Sequence, residues 1–111
     1  MSLVSDRLTA VLQTTQLDYA DVARILDTSP RTVSRWAHDQ NQPRWQVRER
    51  LLEFFAVMER LQRVLQPAAA QDWLFTPNPG LSNRKPVDLL RDGGFREVLG
   101  AIDALGEGVF A

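Results

Sequence analysis

The sequence predicts an all-α fold, in one small domain or two closely packed subdomains, and three observations support this. Apolar residues recur every three or four positions along most of the chain, which is the spacing of one helix face. Nowhere do apolar and polar residues alternate as they do in a half-buried β-strand. Cap residues, prolines and glycines separate the periodic segments where helices would begin and end.

Three short helices are predicted near the start of the chain. Residues 3–14 are periodic and lack glycine and proline, which indicates the first helix. The second helix covers about 19–26, because Asp18 can cap its N-terminus. The third begins at Pro30, where a missing N–H costs nothing, directly after the N-cap residue Ser29.

A fourth helix over 44–65 is the longest predicted element and would form the spine of the fold. Short helices are then expected over 68–75 and 86–90, and a last helix runs from Phe95 to Gly106. The apolar stripe of the fourth helix consists of Leu51, Leu52, Phe55, Met58, Leu61 and Leu65.

The composition leaves few means for enzymatic chemistry. The chain of 111 residues has no cysteine and one histidine, which excludes disulfides, thiolate zinc sites, thiol catalysis and two-histidine metal motifs. It also lacks a Gly-rich phosphate loop. We therefore expect no catalytic residue, no metal site, no cofactor and no enzymatic activity.

The sequence also lacks signals for a membrane or for secretion. Its apolar runs fall far short of the ~18–20 residues that a membrane span needs. Residues 1–7 lack the charged start and apolar stretch of a secretion signal. A cytoplasmic protein without membrane contact is expected.

Residues 19–36 combine two short helices with a tight turn and resemble the helix-turn-helix of phage-repressor-like regulators. Ala23 is small enough for the two helices to approach closely, while Val33 and Trp36 would fill the seam between them. Asp27 occupies the turn position that glycine often holds, although aspartate tolerates a left-handed backbone less well.

The third helix would contact DNA if this segment works as it does in those regulators. Residues at its N-terminal end would then face bases or phosphates. Residues 31–50 carry five arginines against two acidic residues, so any contact with a polyanion would lie there. The alternative is that these are ordinary solvated helix positions. The candidate DNA-binding residues are Arg31, Thr32, Ser34 and Arg35.

Two tryptophans and the single histidine lie in or shortly after this helix. Trp36 and Trp45 are expected in the core rather than as platforms for base stacking, because large aromatic residues are mostly buried. His38 is a solitary imidazole near a helix end, so a capping or surface role is expected for it.

The C-terminal third begins with a segment, 73–94, that is rich in residues that restrict the backbone, which suits a rigid surface for a protein contact. The string WLFTPNPGLSNRKPVDLLRDGGFREVLGAIDALGEGVFA resembles the Xre/MbcA/ParS toxin-binding domain of antitoxins from RES–Xre toxin–antitoxin modules. The resemblance covers roughly 60–111 most closely, and the upstream half also looks like these antitoxins. It implies an Xre-like helix-turn-helix region at 1–65 and a toxin-binding region with a C-terminal tail at 66–111.

This resemblance implies a protein partner. The partner would be a cognate RES-domain toxin that destroys NAD⁺, held inactive in a hetero-oligomer because the antitoxin covers the approach to its active site. Repression of its own operon by binding operator DNA is compatible with that role. The alternative is a stand-alone helix-turn-helix transcriptional regulator, which would leave the C-terminal third unexplained.

The resemblance also indicates which residues would meet the toxin. Arg84 and Lys85 match the basic pair of the family, although a solvated charge pair is an alternative. Gly106 is expected to end the last helix, so that residues 107–111 form a flexible tail that enters the NAD pocket. There, the Phe110 ring could fill an apolar slot and the Ala111 carboxylate could pair with cations, unless Val109 and Phe110 pack on the protein's own core. The candidate toxin-binding residues are Arg84, Lys85, Gly108, Val109, Phe110 and Ala111.

Overall fold

A computed structural model describes residues 3–108, and every helix or strand assigned in that part of the chain is a helix. The all-α prediction is therefore confirmed. No helix within these residues is long and apolar enough to cross a membrane. In chain order the elements are α1 (Leu3–Thr15), α2 (Tyr19–Leu26), α3 (Pro30–Ala37), α4 (Trp45–Leu61), α5 (Pro67–Leu74), a 3₁₀ turn (Pro79–Leu81), α6 (Pro86–Arg91) and α7 (Phe95–Gly108).

One hydrophobic core takes side chains from all seven α-helices. Helix α4 lies at its centre and packs against α1, α2 and α7. Phe55 and Met58 of α4 have no exposed surface, and Trp36 of α3 is buried as predicted. The core therefore joins the N-terminal helices to the C-terminal ones through α4.

Helix α2 covers the predicted residues and α3 begins at the predicted Pro30, because short-range caps determine these bounds. The Asp18 carboxylate accepts a hydrogen bond from the Asp21 N–H at 2.8 Å, and the Asp21 carboxylate accepts one from the Asp18 N–H at 3.2 Å. Partial burial raises the pKa of the Asp21 carboxyl above its ordinary value. Asp27 adopts the left-handed conformation with φ 55°, and Ser29 caps α3.

Helix α4 is shorter than predicted and ends at Leu61 rather than at residue 65. Pro67 forces Gln66 into an extended conformation, so the preceding residues tighten into a turn instead of continuing the helix. The predicted burial of Trp45 is wrong, since 69% of its surface is exposed. Leu52 is also exposed, because it lies two helical turns after Trp45 on the same face, away from the core.

Helix α7 is longer than predicted, because it continues through Gly106 and ends at Gly108. An Arg60–Asp103 ion pair at 2.9 Å joins α4 to this last part of α7, and a Cβ on Gly106 would lie 4.0 Å from the Val64 side chain. The contacts of α7 with α4, which include this ion pair and the buried Ile102, thus outweigh the low helix propensity of glycine. Val109, Phe110 and Ala111 lie outside the described residues.

Two glycines of the C-terminal region differ in what surrounds them. A Cβ on Gly94 would lie only 2.7 Å from Leu89 Cγ and from a Glu97 carboxylate oxygen, whereas a Cβ on Gly100 would meet nothing within 4 Å. Gly94 therefore permits the close approach between α6 and the start of α7. Nothing within the described chain requires a glycine at position 100.

This difference predicts opposite effects of the same substitution. Gly94→Ala should lower the free energy of unfolding by about 1–3 kcal/mol through overpacking. Gly100→Ala should raise it by about 0.5–1 kcal/mol, because alanine favours a helix interior over glycine. Urea denaturation followed by circular dichroism measures both changes. Equal effects of the two substitutions would contradict the packing described at Gly94.

Candidate functional site

The connection between α5 and α6 is a tightly hydrogen-bonded loop. Its centre is Asn78, whose side chain accepts a hydrogen bond from the Gly80 N–H at 2.8 Å and whose N–H donates to the Arg84 carbonyl at 3.0 Å. The Asn78 carbonyl accepts from the N–H groups of Leu81 and Asn83, each at 2.9 Å. The Leu81 side chain is buried and anchors the loop to the core. Within the connector predicted over 73–94, residues 76–85 form this hydrogen-bonded loop, which we call the Asn78 loop.

The Asn78 loop ends at the predicted basic pair. Arg84 forms an ion pair with Asp92, which lies at the other end of α6. Lys85 is partly buried at the N-cap of α6 and has no carboxylate partner among the described residues. Both side chains line an open polar groove of about 430 Å³, together with Pro77, Asn83, Asp88, Arg91 and Asp92.

A second groove of about 490 Å³ lies on the other side of the Asn78 loop, against α7. Its α7 wall includes Gly100, Ala101 and Ala104. The groove stays open there because glycine has no side chain and alanine has only a methyl group. The loop thus stands between a charged groove and a more apolar one. Sequence reasoning missed this second groove, although a glycine at position 100 inside a helical pattern is unusual enough to mark it.

Helix α6 is tied to the N-terminal half by reciprocal charges. Arg24 of α2 pairs with Asp88 at 2.7 Å, and Asp27 lies 3.9 Å from Arg91. From α4, the Arg50 guanidinium donates to two carbonyls at the C-terminal end of α6, at 2.7 and 3.2 Å. Helix α6 is therefore held in place by α2 and its C-cap and by α4.

The four predicted DNA-binding residues lie together on α3, separately from the Asn78 loop. Arg31 is exposed, while Thr32, Ser34 and Arg35 are partly buried. The Thr32 hydroxyl lies 2.9 Å from that of the cap residue Ser29. Neither arginine has a carboxylate partner among residues 3–108.

His38 caps the end of α3, as the sequence predicts, with its Nδ1 2.8 Å from the Ser34 carbonyl oxygen. Its ring also makes an edge contact with Tyr19 of α2, at 6.4 Å between centroids. Within the described residues, no cluster of three or more His, Asp or Glu side chains is placed to hold a metal ion.

Comparison with known proteins shows where this arrangement belongs. Residues 57–108 match the family model of the antitoxin Xre/MbcA/ParS C-terminal toxin-binding domain. The mycobacterial cidal antitoxin MbcA of Mycobacterium bovis and that of Mycobacterium tuberculosis are each 39% identical to this chain over 110 residues, which is 99% of this chain and 97% of theirs. The chain belongs to the Xre/MbcA/ParS antitoxin family.

The fold of this antitoxin also matches a solved structure over its whole length. A chain in the crystal structure of the M. tuberculosis MbcT–MbcA toxin–antitoxin complex superposes with a TM-score of 0.88, at 39% identity, and covers 100% of both chains. The family match begins within α4 and includes the Asn78 loop, α6 and α7. Both grooves of the antitoxin therefore lie in the part that corresponds to a toxin-binding domain.

Proposed function

We propose that this antitoxin binds a cognate RES-domain toxin and neutralises it by covering the approach to an active site that degrades NAD⁺. The observation that carries the proposal is the match of residues 57–108 to a toxin-binding domain. The similarity to a chain from a toxin–antitoxin complex supports the same role. The antitoxin would act as one subunit of a hetero-oligomer and would itself catalyse no reaction.

The Asn78 loop supplies a surface suited to this contact. Its hydrogen bonds hold it in one conformation, so little conformational entropy is lost when a partner binds. Lys85 offers a cation that has no carboxylate partner within residues 3–108, while Arg84 can exchange its Asp92 partner for a carboxylate of the toxin. The two grooves give the toxin a recessed surface on either side.

The segment after α7 is proposed as the second contact. Because α7 ends at Gly108, residues 109–111 follow directly after a helix that lines the second groove. Phe110 would fill an apolar slot in the toxin, with Val109 and Ala111 on either side. Gly108, also named as a candidate contact, is the last helical residue rather than part of a longer tail.

Co-expression of the antitoxin with the adjacent reading frame tests this function. We expect the two proteins to co-purify, and the toxin expressed alone to deplete cellular NAD⁺ and stop growth. Co-expression of the antitoxin should restore both. If the neighbouring product depletes NAD⁺ equally with and without the antitoxin, the proposed function is wrong.

A second function, repression of its own operon, is favoured by the unpaired arginines of α3. Arg31 and Arg35 lie one turn apart on a helix whose N-terminus is capped by Ser29, and no carboxylate neutralises either of them within residues 3–108. Such side chains are available to phosphates and base edges. Binding of operator DNA through α3 would add regulation without involving the Asn78 loop.

Substitution of these arginines separates the two functions. Arg31→Ala with Arg35→Ala should weaken operator binding and lower the log–log salt slope by about 0.9 for each lost phosphate contact. Toxin neutralisation should not change. Fluorescence anisotropy with operator and random duplexes measures the first effect, and Arg63→Ala with Arg96→Ala provides a control of equal charge. Recognition of an operator is ruled out if the wild-type protein, alone and with its toxin, shows no preference for its own promoter.

A further inference from the structure

The arginines that have no partner within residues 3–108 are unevenly distributed along the antitoxin. Of the 12 arginines in the sequence, those that pair with carboxylates or carbonyls within residues 3–108 are Arg7, Arg24, Arg50, Arg60, Arg84 and Arg91. Four of the others lie between residues 31 and 48, where Asp39 is the single acidic residue. These four are Arg31, Arg35, Arg44 and Arg48. Among the described residues, most arginines without a partner therefore lie in this segment, which leaves it positive.

The start of α4 carries two of these arginines on either side of an exposed tryptophan. Arg44 is the N-cap residue of α4 and makes no side-chain capping bond, and Arg48 is exposed one turn later. Between them, 69% of the Trp45 surface is exposed. Pro43 is buried just before them, which fixes the start of α4 to the body of the protein. We call the surface formed by Arg44, Trp45 and Arg48 the α4 basic end.

The α4 basic end follows closely after the candidate DNA-binding helix. Only residues 38–44 separate the end of α3 from the start of α4, and the buried Pro43 anchors this link. A duplex that contacted α3 would therefore have its sugar–phosphate backbone near the start of α4. Arginine side chains donate hydrogen bonds to phosphate oxygens, and an aromatic ring between two such arginines can pack on the sugar.

We propose that Arg44, Trp45 and Arg48 form a second DNA contact, which binds the sugar–phosphate backbone beside the groove that α3 occupies. This inference rests on the proposed binding of DNA by α3. The two arginines pair with phosphates, and the Trp45 ring covers the adjacent deoxyribose. Because phosphates carry no sequence information, this contact adds affinity and fixes the position of α3 without reading bases.

Charge favours DNA over a second copy of the chain as the occupant of this surface. Residues 31–50 carry four arginines without a partner within residues 3–108 against Asp39 and Glu49, so two copies meeting here would bring like charges together. A polyanion would instead neutralise them and release counterions. The exposed apolar side chains of Trp45 and Leu52 are the feature that would favour a dimer. The test therefore also measures the oligomeric state.

The test compares three variants and one control variant in the full-length antitoxin, using a duplex from upstream of its own reading frame and a random duplex. Arg44→Ala with Arg48→Ala should lower the salt slope by about 1.8, which is about 0.9 for each of two contacts. It should weaken binding to both duplexes by the same factor. Trp45→Ala should also weaken the affinity for both duplexes by one factor. The Arg31 and Arg35 variant should instead reduce the ratio of the affinity for the upstream duplex to that for the random duplex. Arg63→Ala with Arg96→Ala should leave the slope nearly unchanged.

Several outcomes would overturn the inference. If the Arg44 and Arg48 variant keeps the DNA affinity and salt slope of the Arg63 and Arg96 control while the Arg31 and Arg35 variant loses affinity, α3 binds DNA without the α4 basic end. A Trp45→Ala variant that turns a dimer into a monomer in light scattering would make this surface an interface between copies. If the wild-type protein binds neither duplex, both this inference and DNA binding by α3 are wrong. Melting temperatures should not change, because all these side chains are solvent-accessible.

Discussion

Replacement of Phe55 by alanine should destabilise the antitoxin by about 3–5 kcal/mol, a large share of the stability of a small domain. Phe55 lies in the middle of α4 with no exposed surface. The Phe54 ring lies 6.0 Å away between centroids, and the Arg7 guanidinium lies 4.7 Å above the Phe55 ring. The substitution therefore opens a cavity at the centre of the core and removes the surface on which Arg7 rests.

Thermal and urea denaturation would measure this effect, with Trp45→Ala as the matched control. Trp45 is the larger side chain and belongs to the same helix, but it is 69% exposed, so its removal should change the free energy of unfolding by no more than about 0.5 kcal/mol. A larger loss of stability for the Trp45 variant than for the Phe55 variant would mean that the core lies on the opposite face of α4.

Removal of residues 109–111 should weaken toxin inhibition by roughly ten- to two-hundredfold. Burial of a phenylalanine side chain in a partner is worth about 1.5–3 kcal/mol, which corresponds to that range of affinity. Phe110→Ala should reproduce much of the loss. Phe110→Leu should have a milder effect, because another apolar group still fills the slot. The deletion starts at residue 109 because α7 includes Gly108.

Titration of the purified toxin with each variant, followed by an NAD⁺ assay, would measure this loss, and growth on co-expression would report it in cells. Leu52→Ala is the control, since it removes an exposed apolar side chain on α4. If the truncated protein silences the toxin as well as the wild type does, inhibition comes from the Asn78 loop and its grooves. If truncation lowers the melting temperature markedly, Val109 and Phe110 belong to the core instead.

Short-range signals in the sequence were sufficient for the N-terminal helices. Asp18, Ser29 and Pro30 determine the bounds of α2 and α3 through contacts within three residues, so no tertiary information is needed. The length of α7 was not predictable in this way. Gly106 is a stop signal in isolation, whereas the contacts that join α7 to α4, such as the Arg60–Asp103 ion pair, exist only in the folded protein.

The burial of aromatic residues and the pairing of charges depend on the fold. Trp36 and Trp45 both suit a core by residue type, yet α4 buries the face opposite to Trp45. The basic pair at 84–85 was found through the family resemblance, but the partner of Arg84 lies at the far end of α6. Likewise, the excess of arginine near Arg44 is visible in the sequence, whereas the absence of internal partners within residues 3–108 is visible only in the structure.

The family match begins at residue 57, partway along α4, so its boundary cuts through a helix of the common core. A fragment starting there would lose Leu51 and Phe55, which help to form the common core, together with the Arg50 contacts to the end of α6. The toxin-binding part is therefore not a portable module that could be grafted onto another protein. A protease that captured the chain during one global opening would therefore destroy the toxin-binding region and the proposed DNA-binding surface together.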